Sequence, residues 1–328
     1  MERISCVICH HQGNLVLKAI SSILLSRDVE IELIVVTSQT GKAFYSTKTV
    51  HVPGGPARKR NIGYRYCTSP YIAFFDDDVE VEPTAIAEML KVLKKDNVGM
   101  VFGKLRNMEF RDMFDEAGSF LTWTGFLWAR GDRVKDVGQF DESVPVLAGK
   151  SAACIIRKEA FSKAGFFDES YEILGEESDL SWRVWLSGYK VIYSPRSLTY
   201  HAFNTRFKPA NFYTAQRVYF NGCRNYLAML TTNLGWQRLL LALPFQLFAW
   251  TTSALGMFFS GKLQASLYIF EGLGYYFTHL SSHLEKRKGV QSQRMVKESE
   301  LMAQVMQNPS LAYFLKRLFR YIMTGLHG

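Results

Sequence analysis

The fold of this chain is decided by residues 71–80, YIAFFDDDVE, where an apolar run ends directly in three carboxylates. The run predicts a buried strand. Side chains alternate along a strand, so Asp76 and Asp78 point to one side and Asp77 to the other. Two carboxylates at i and i+2 suit a hard divalent cation, which prefers oxygen ligands. A solvated acidic turn is the alternative, but the preceding run is strongly apolar, so we expect a Mn²⁺ or Mg²⁺ site here.

Short β-rich runs and helical patterns alternate on both sides of this strand. ISCVIC (4–9), an amphipathic segment (15–25) and IELIVV (31–36) precede it, and a helical pattern (85–95) follows it. Such alternation predicts βαβ units, that is, an α/β fold with a mostly parallel sheet flanked by helices. Ligands of these sheets bind at the carboxyl ends of the strands, which is where the acidic cluster lies.

The composition indicates a folded protein with an anionic partner. The 328 residues include 39 Lys and Arg against 30 Asp and Glu, a formal net charge of +9, and 48% of them are hydrophobic. These values exclude disordered, collagen-like and disulfide-scaffold chains. The positive charge favours nucleotides, phosphates or an acidic membrane surface. Nucleic acid is not expected as a partner, because the cations do not interleave with aromatic residues as in a stacking platform.

The cysteines are odd in number and scattered, which indicates reduced thiols. CVICH, residues 6–10, has the spacing of a covalent haem attachment, but it lies in a predicted strand. The sequence has no second C-x-x-C that would complete a zinc site. We therefore expect small buried residues at the end of a strand.

A second cluster, GGPARKRNIG at residues 54–63, is a glycine-rich turn that leads into a predicted helix with three cations. Backbone amides at a helix N-terminus bind anions together with Arg and Lys side chains. Basic helix starts are common, so this stretch alone is a weak signal. Its position just before the acidic strand predicts that it forms the phosphate side of one nucleotide site.

A third cluster, GEESDLSWR at residues 175–183, is typical of a helix start, where the macrodipole favours carboxylates such as Glu176 and Glu177. Asp179 can pair with the arginine four positions later. A carboxylate held in this turn is a candidate general base toward a hydroxyl, and helix capping alone is the alternative. Downstream, a short predicted strand ends in His201, a candidate ligand for the same metal.

The composition changes near residue 205, and the chain beyond it is predicted to be helical and membrane-associated. From Leu239 to Gly261, 23 residues include no Asp, Glu, Lys or Arg, and a helix of this length extends about 35 Å, enough for a ~30 Å hydrocarbon core. The run from Leu263 to Leu284 contains an acid and suits an interfacial helix. Basic residues at 286–288 suit an anionic cytoplasmic leaflet. A large buried helix of a soluble α domain is the alternative, because a proline interrupts the apolar run.

In chain order these segments resemble the family 2 glycosyltransferases with a GT-A fold, and in detail the rhamnosyltransferase-like branch that acts on polysaccharide precursors. Residues 54–78 look like the family's glycine-rich R-N-x-G stretch followed by its D-x-D motif. Residues 114–141 are similar to the branch's D-x-x-G, R-G and D-x-G-q-x-D loop. Residues 148–201 look like its acceptor-side block with a terminal histidine. The resemblance covers most of the chain.

The resemblance implies an inverting, metal-dependent enzyme of cell-envelope polysaccharide synthesis. It would move a sugar from a nucleotide-sugar donor to a hydroxyl of a polysaccharide acceptor, with Mn²⁺ or Mg²⁺ as cofactor. The apolar tail with its basic flanks indicates that the acceptor is lipid-linked or that the growing glycan is assembled at the membrane. We expect a GT-A nucleotide-sugar transferase domain over residues 1–205 and a C-terminal helical region over residues 206–328. We expect this protein on the cytoplasmic side of the cell membrane, as a peripheral, monotopic or hairpin-anchored protein.

The resemblance also implies roles for individual residues. Glu177 occupies the position of the general base that takes a proton from the acceptor hydroxyl, and Asp179 is a supporting residue of the same site. The remaining residues form three groups: metal ligands Asp76, Asp78 and His201; donor-binding residues His10, His11, Thr37, Arg58, Arg60, Asn61, Asp76 and Asp77; and acceptor-side residues Glu176 and Trp182.

The chain departs from the family pattern at functional positions. The family usually has an Asp at the end of the second strand, which accepts the N3–H of a uracil or thymine ring, where this chain has Thr37 and Ser38. The base position usually holds Asp, and Glu177 adds one methylene. Near the first strand, His10 and His11 replace residues of a P-T-Y-N pattern, and we expect one of them to contact the base or a phosphate. A non-catalytic nucleotide-sugar-binding membrane subunit that partners another enzyme is therefore the alternative function.

Overall fold

The computed structural model describes residues 1–202 and 214–310, together with 312, 315 and 319. Within these residues the chain forms two compact units. The first contains the described residues of 1–120, 129–172 and 176–208, and the second those of 121–128, 173–175 and 209–328. The predicted domain boundary at residue 205 lies outside the described residues. Two short pieces of the N-terminal part belong to the helical unit, which the sequence pattern did not indicate.

Over the described residues 1–202 the chain consists of strands and helices, and no helix separates the six strands between residues 98 and 157. The strands are β1 (Glu2–His10), β2 (Val29–Thr37), β3 (Lys48–His51), β4 (Tyr71–Asp76), β5 (Val79–Val81), β6 (Val98–Asn107), β7 (Phe114–Glu116), β8 (Ser119–Leu121), β9 (Leu127–Ala129), β10 (Val144–Pro145), β11 (Ala153–Arg157) and β12 (Lys190–His201). The helices are α1 (Leu15–Leu24), α2 (Pro56–Tyr64), α3 (Ala85–Leu93), α4 (Lys158–Lys163) and α5 (Glu176–Leu186).

The large sheet is mostly parallel, as predicted. Among the described residues its main path is β10-β12-β6-β11-β4-β1-β2-β3, while β5 pairs with β12 and β7 pairs with β6. Six of these eight strands run in one direction, because β10 and β11 alone are antiparallel to their neighbours on the path. β8 and β9 form a separate two-stranded sheet.

Helices cover both faces of the sheet because alternate residues of β1 face different layers. Ile4, Cys6 and Ile8 are buried in a core with residues of α1 and α3. Val7 faces the other way, toward α2, where a Cβ atom at Gly63 would lie only 2.4 Å from Cγ1 of Val7. Glycine at this position therefore allows α2 to pack close to the sheet. The five cysteines, all in described residues, are buried free thiols.

The register of the parallel strands aligns their carboxyl ends. His10 of β1 pairs with Thr37 of β2, and Thr37 pairs with His51 of β3. On the other side of β1, Cys9 pairs with Asp76, the last residue of β4. Polar residues that follow apolar strands are thereby collected at one edge, where ligands of such sheets bind.

The second unit is helical, as predicted for the C-terminal region. A π-helical turn (Gln216–Phe220) leads into α6 (Asn221–Asn233), and α7 (Trp236–Phe259), α8 (Leu263–Thr278), α9 (Leu280–Ser292) and α10 (Glu298–Val305) follow. Its core contains Leu227 of α6, Ala254 and Met257 of α7, and Ile269 and Tyr276 of α8. The apolar residues between 239 and 284 thus include buried positions and exposed ones.

The last carbonyl groups of α6 are capped by side chains of α9. Buried Arg287 donates to the carbonyl of Thr231 (2.6 Å), and Gln291 donates to those of Thr232 (2.9 Å) and Asn233 (3.0 Å). The final carbonyls of a helix have no hydrogen-bond donor within the helix, and Arg287 and Gln291 supply these donors. Of the basic residues at 286–288, the middle one therefore stabilises the unit and is not exposed.

Helix α7 is long and apolar enough to cross a membrane. It has 24 residues, a mean hydropathy of 1.4 in its most apolar window, and 28% of that window is buried. Pro244 lies within the helix without ending it. The apolar run that the sequence shows is thus one continuous helix with one protein-covered side.

Candidate active site

Asp76, Asp78 and His201 come together at the carboxyl edge of the sheet. Asp76 ends β4, and a two-residue turn that contains Asp78 leads into β5. β5 pairs antiparallel with the end of β12, so His201 lies opposite Val79. The N–H of Ala202 donates to the carbonyl oxygen of Asp78 (3.0 Å). One ligand atom of each of the three side chains lies within 4.8 Å of the other two.

These three side chains fit a divalent cation. Nε2 of His201 lies 3.3 Å from Oδ1 of Asp78 and 3.9 Å from Oδ2 of Asp76. Although burial lowers the pKa of His201, the carboxylates of Asp78 and Asp115 raise it to about 9. Carboxylates suit Mg²⁺ and Mn²⁺, and an imidazole is a ligand that transition metals accept, which favours Mn²⁺. A cation here would neutralise the anions that the fold concentrates.

The carboxylate of Asp77 has other partners. Its Oδ2 lies 2.8 Å from Nδ1 of His10 and accepts a hydrogen bond from the backbone N–H of His11 (2.9 Å). The imidazole of His10 is buried. Thr37, opposite His10 on β2, is also buried, and its hydroxyl accepts a hydrogen bond from the N–H of Gln39 (3.0 Å). The structure thus brings His10, Thr37 and Asp77, which were predicted to bind the nucleotide, together at the ends of β1 and β2.

Arg60 joins the acidic cluster to two helices. Its buried guanidinium donates from Nη2 to Oδ1 of Asp76 (2.8 Å) and from Nη1 to Oε1 of Glu176 (3.0 Å). One side chain of α2 therefore connects β4 with α5. Arg58 is exposed near the start of α2, whereas Lys59 is buried and donates to a carbonyl at the end of β1 (2.8 Å). Of the three predicted phosphate-side cations, Arg58 is the exposed one.

Asn61 holds a loop. Its Nδ2 donates to the carbonyl of Phe167 (2.9 Å) and to Oε1 of Glu169 (3.0 Å), and its Oδ1 accepts the N–H of Phe167 (3.0 Å). These hydrogen bonds connect α2 with residues 167–169, which follow α4. A direct contact of Asn61 with the donor stays a prediction.

The first turn of α5 carries the predicted catalytic carboxylates. Glu177 is half-buried, and burial and the neighbouring carboxylate of Glu176 raise its pKa well above that of an ordinary glutamate. Asp179 is buried and accepts two hydrogen bonds from Arg183 (2.9 and 2.7 Å), which is the expected i, i+4 pair. Trp182 is fully buried, so it exposes no surface to an acceptor in this conformation. Glu177 is therefore the carboxylate of this turn best suited to accept a proton.

Sequence reasoning missed a buried acidic pair, Asp115 and Glu116. Oδ2 of Asp115 lies 2.7 Å from Nδ1 of His201, and its Oδ1 pairs with Nζ of Lys150. Burial would raise the pKa of Asp115, but Lys150 and His201 outweigh burial and hold the pKa at about 2. Burial raises the pKa of Glu116, which accepts the backbone N–H of Lys150 (3.0 Å). The available signal was two adjacent acids between apolar residues, in a segment without clear periodicity.

Comparisons with known proteins agree with this geometry. A family model described as "Glycosyltransferase like family 2" matches residues 6–237, more than half of the chain. A pre-mycofactocin glycosyltransferase of Mycobacterium tuberculosis is 26% identical over 185 residues, which are 53% of this chain and 35% of that protein. The chain thus matches only about a third of the length of this curated relative.

Two solved structures show the same fold at low sequence identity. GalNAc-T7 with UDP, GalNAc and Mn²⁺ has a TM-score of 0.60 at 14% identity, over 96% of this chain and 57% of that chain. S. aureus TarS 1–349 in complex with UDP-GlcNAc has a TM-score of 0.57 at 12% identity, over 89% of this chain and 91% of that chain. The GT-A fold predicted from the sequence is confirmed.

The bonds of Arg60 predict a large effect of its removal on stability. Arg60→Met leaves Glu176 buried without its guanidinium partner, and breaking a buried ion pair on one side costs about 3–5 kcal/mol. We expect a clearly lower midpoint of thermal unfolding. Arg58→Met, the matched change at an exposed position of the same helix, should alter the free energy of unfolding by less than about 0.5 kcal/mol. Equal midpoints for the two variants would contradict this account of Arg60.

Proposed function

The chain belongs to glycosyltransferase family 2, and on this premise we propose that it transfers a sugar from a nucleotide-sugar donor to a hydroxyl of an acceptor, with inversion at the anomeric carbon. The observation that carries the proposal is the convergence of Asp76, Asp78 and His201 at the carboxyl edge of the sheet. Arg60 is bonded to Asp76, and Glu177 lies near enough to Arg60 to interact with it electrostatically. These contacts support a site in which the proposed donor-side and acceptor-side groups are close to each other.

The ligands of the similar folds support the donor class. UDP is bound to GalNAc-T7 and UDP-GlcNAc to TarS. We assign the nucleotide-base side of the donor site to the ends of β1 and β2, where His11 is exposed, His10 and Thr37 are buried, and Asp77 fixes both histidines. Arg58, exposed near the start of α2, supplies a cation for the phosphates.

Asp76, Asp78 and His201 would hold Mn²⁺ or Mg²⁺ in this proposal. Such a cation, when bound, neutralises the charge that develops on the departing diphosphate. Arg60 holds Asp76 from α2 and compensates its charge. The presence of Mn²⁺ in GalNAc-T7 supports this assignment.

Glu177 is the general base of the proposed reaction. Its raised pKa makes it a stronger proton acceptor than an ordinary glutamate. Its carboxylate takes the proton of the acceptor hydroxyl while the hydroxyl oxygen attacks the anomeric carbon and the bond to the diphosphate breaks. Asp179 stabilises this turn by accepting a hydrogen bond from Arg183, and Glu176 accepts one from Arg60.

The second unit would bind the cytoplasmic face of the cell membrane. Large apolar side chains recur every three to seven residues on α7 and on α8, so they form a stripe on one face of each helix. The opposite side of α7 is buried against protein, so an interfacial position suits this pair of helices better than a full span. The exposed residues of these stripes, each 41–83% accessible, are Leu241, Phe245, Phe248, Leu255 and Phe259 on α7 and Leu263, Leu267, Phe270 and Phe277 on α8, and α7 also exposes Trp236, Leu240 and Phe258 beside its stripe.

Charge favours a lipid surface over a second copy of the chain as the partner of these stripes. Residues 214–310 contain nine Lys and Arg against four Asp and Glu. Arg238 and Lys262 lie near the two ends of α7. Basic segments are attracted to anionic lipids, whereas two copies would bring like charges together. A lipid-linked or growing glycan acceptor fits an enzyme held at such a surface.

The function is tested by release of nucleoside diphosphate from a panel of nucleotide sugars with Mn²⁺ or Mg²⁺ and a membrane lipid extract as acceptor. We expect release by the wild type. Glu177→Gln should lower turnover by about 10²–10⁴-fold, the usual effect of removing a general base, while the donor still binds. Asp78→Asn should abolish metal-stimulated release. Donor binding by the wild type without turnover on any donor would instead favour the non-catalytic subunit.

The raised pKa of Glu177 predicts a pH dependence. A base must be deprotonated to act, so kcat/KM should fall as the pH drops through a value above ~4.3, the pKa of an ordinary glutamate. Glu176→Gln removes the neighbouring charge, lowers the pKa of Glu177 and should shift the acid limb to lower pH. Glu172→Gln, at an exposed position, should leave the limb in place. An acid limb that does not move in Glu176→Gln argues against Glu177 as the base.

Membrane binding is tested by changing exposed residues only. Deleting 239–284 would remove core residues such as Met257 and Ile269 and unfold the unit. The triple variant Leu241→Ser, Phe248→Ser, Phe259→Ser should bind vesicles of phosphatidylglycerol and phosphatidylcholine at least about 100-fold more weakly, since each side chain contributes about 1.5–3 kcal/mol. Co-sedimentation measures the partition.

A matched triple variant controls for the loss of apolar surface elsewhere. Leu17, Leu25 and Val137 of the first unit are each more than half exposed. Their replacement by Ser should leave vesicle binding unchanged. Wild-type binding that the α7 variant retains, or a solution dimer that the α7 variant dissociates, would contradict the membrane assignment.

A further inference from the structure

A β-bulge places Asp115 where its side chain meets His201. Consecutive residues of β6 pair with Glu116 and with Phe114 of β7, so Asp115 is an extra residue on its strand. A bulge changes the direction of a side chain and is frequent next to active sites. Here it accompanies a buried carboxylate whose Oδ2 lies 2.7 Å from Nδ1 of His201.

The carboxylate of Asp115 is held on both of its oxygens. Oδ2 faces Nδ1 of His201, and Oδ1 pairs with Nζ of Lys150. The backbone of Lys150 is also fixed, because its N–H donates to Oε2 of Glu116 (3.0 Å). The other oxygen of Glu116 accepts the hydroxyl of Ser119 (2.5 Å). With Lys150 on one oxygen, the other oxygen of Asp115 is left to the imidazole.

The second nitrogen of the same ring faces the acidic cluster. Nε2 of His201 lies 3.3 Å from Asp78 and 3.9 Å from Asp76. A neutral imidazole has one N–H, and its other nitrogen is the one that binds a metal. A carboxylate at Nδ1 selects the Nδ1–H tautomer and leaves the lone pair on Nε2. We propose that Asp115, held by Lys150, is a positioning residue that sets the tautomer and orientation of His201 for a divalent cation, a role that rests on the metal-dependent function proposed above.

Asp115→Asn tests this role without a change in side-chain size. The ammonium of Lys150 requires an acceptor and takes the amide oxygen, so the amide NH₂ group faces Nδ1 of His201. The proton of the imidazole then moves to Nε2, where it blocks a metal. We expect Mn²⁺ alone, titrated into the full chain and followed by electron paramagnetic resonance, to bind about 10–100-fold more weakly than to the wild type.

A second change should reverse the effect. In the double variant Asp115→Asn, Lys150→Met the ammonium is absent, and the new amide can turn its oxygen to Nδ1 of His201. We expect the double variant to bind Mn²⁺ more tightly than Asp115→Asn alone. At a pH above about 9, where the imidazole of His201 is neutral, long-range ¹H–¹⁵N spectra should show Nδ1–H in the wild type and in the double variant, and Nε2–H in the single variant. A merely structural role of Asp115 predicts neither the rescue nor the change of tautomer.

The outcomes separate this inference from the proposed function. Equal Mn²⁺ affinity in the wild type and a folded Asp115→Asn variant overturns the inference and leaves the transferase proposal standing. Weaker binding without the tautomer change, or a double variant no tighter than the single one, also overturns it. A wild type that binds no Mn²⁺ contradicts the metal part of the proposed function itself. If Asp115→Asn does not fold, the wild-type spectrum at a pH above about 9 decides, since a proton on Nε2 alone overturns the inference and a proton on Nδ1 alone supports it.

Discussion

The carboxylates at the end of β4 need positively charged or hydrogen-bonding partners. The arrangement of the first unit depends on the side chains that supply these partners. Asp76 and Glu176 come from separate elements, and one buried guanidinium, that of Arg60, binds both. A carboxylate inside a protein is stable only when it is paired and hydrogen-bonded. The ion pairs therefore hold the first turn of α5 against the end of the strand. Glu177 follows Glu176 in the chain, so its position follows from the same contact.

His201 is the second side chain that meets the acidic cluster, and its position depends on elements far apart in sequence. The antiparallel pairing of β5 with β12 brings the imidazole to the turn that contains Asp78. The bulge in β7 brings Asp115 to the other nitrogen of the ring. A histidine between carboxylates on both nitrogens has a defined orientation, which is what a metal ligand requires. The donor side and the acceptor side of the proposed reaction are thus organised by two side chains, the guanidinium of Arg60 and the imidazole of His201.

The apolar residues of the second unit are of two kinds, those of its core and those exposed on its helices. Ala254, Met257 and Ile269 form its core, while residues such as Phe248 and Phe259 remain exposed on α7. Hydrophobicity along the sequence does not distinguish these positions, because both kinds occur in one apolar run. Charge along the sequence does not distinguish buried from exposed positions either. Arg287 is buried and caps α6, although the lysines on both sides of it in the sequence are exposed. The interfacial position proposed for α7 and α8 therefore rests on which faces of these helices the protein covers.

The sequence by itself determined what depends on local pattern. The apolar run before Asp76 predicted a buried strand with its acidic residues at the carboxyl edge, and the alternation of segments predicted the α/β sheet. The spacing of Asp179 and Arg183 predicted their ion pair, because one helical turn brings these positions together. These features depend on residues that are neighbours in the chain or in one element, so their physical cause can be seen in the sequence.

Only the tertiary structure decided which partner each polar side chain has. Asn61 was assigned to the donor and is bonded to the loop at Phe167, and Trp182 was assigned to the acceptor and is fully buried. Asp115 was not singled out, although it contacts His201. The reason is the same in each case. A hydrogen bond or ion pair joins groups that the chain separates by many residues, and the sheet register and a β-bulge decide which of these groups meet.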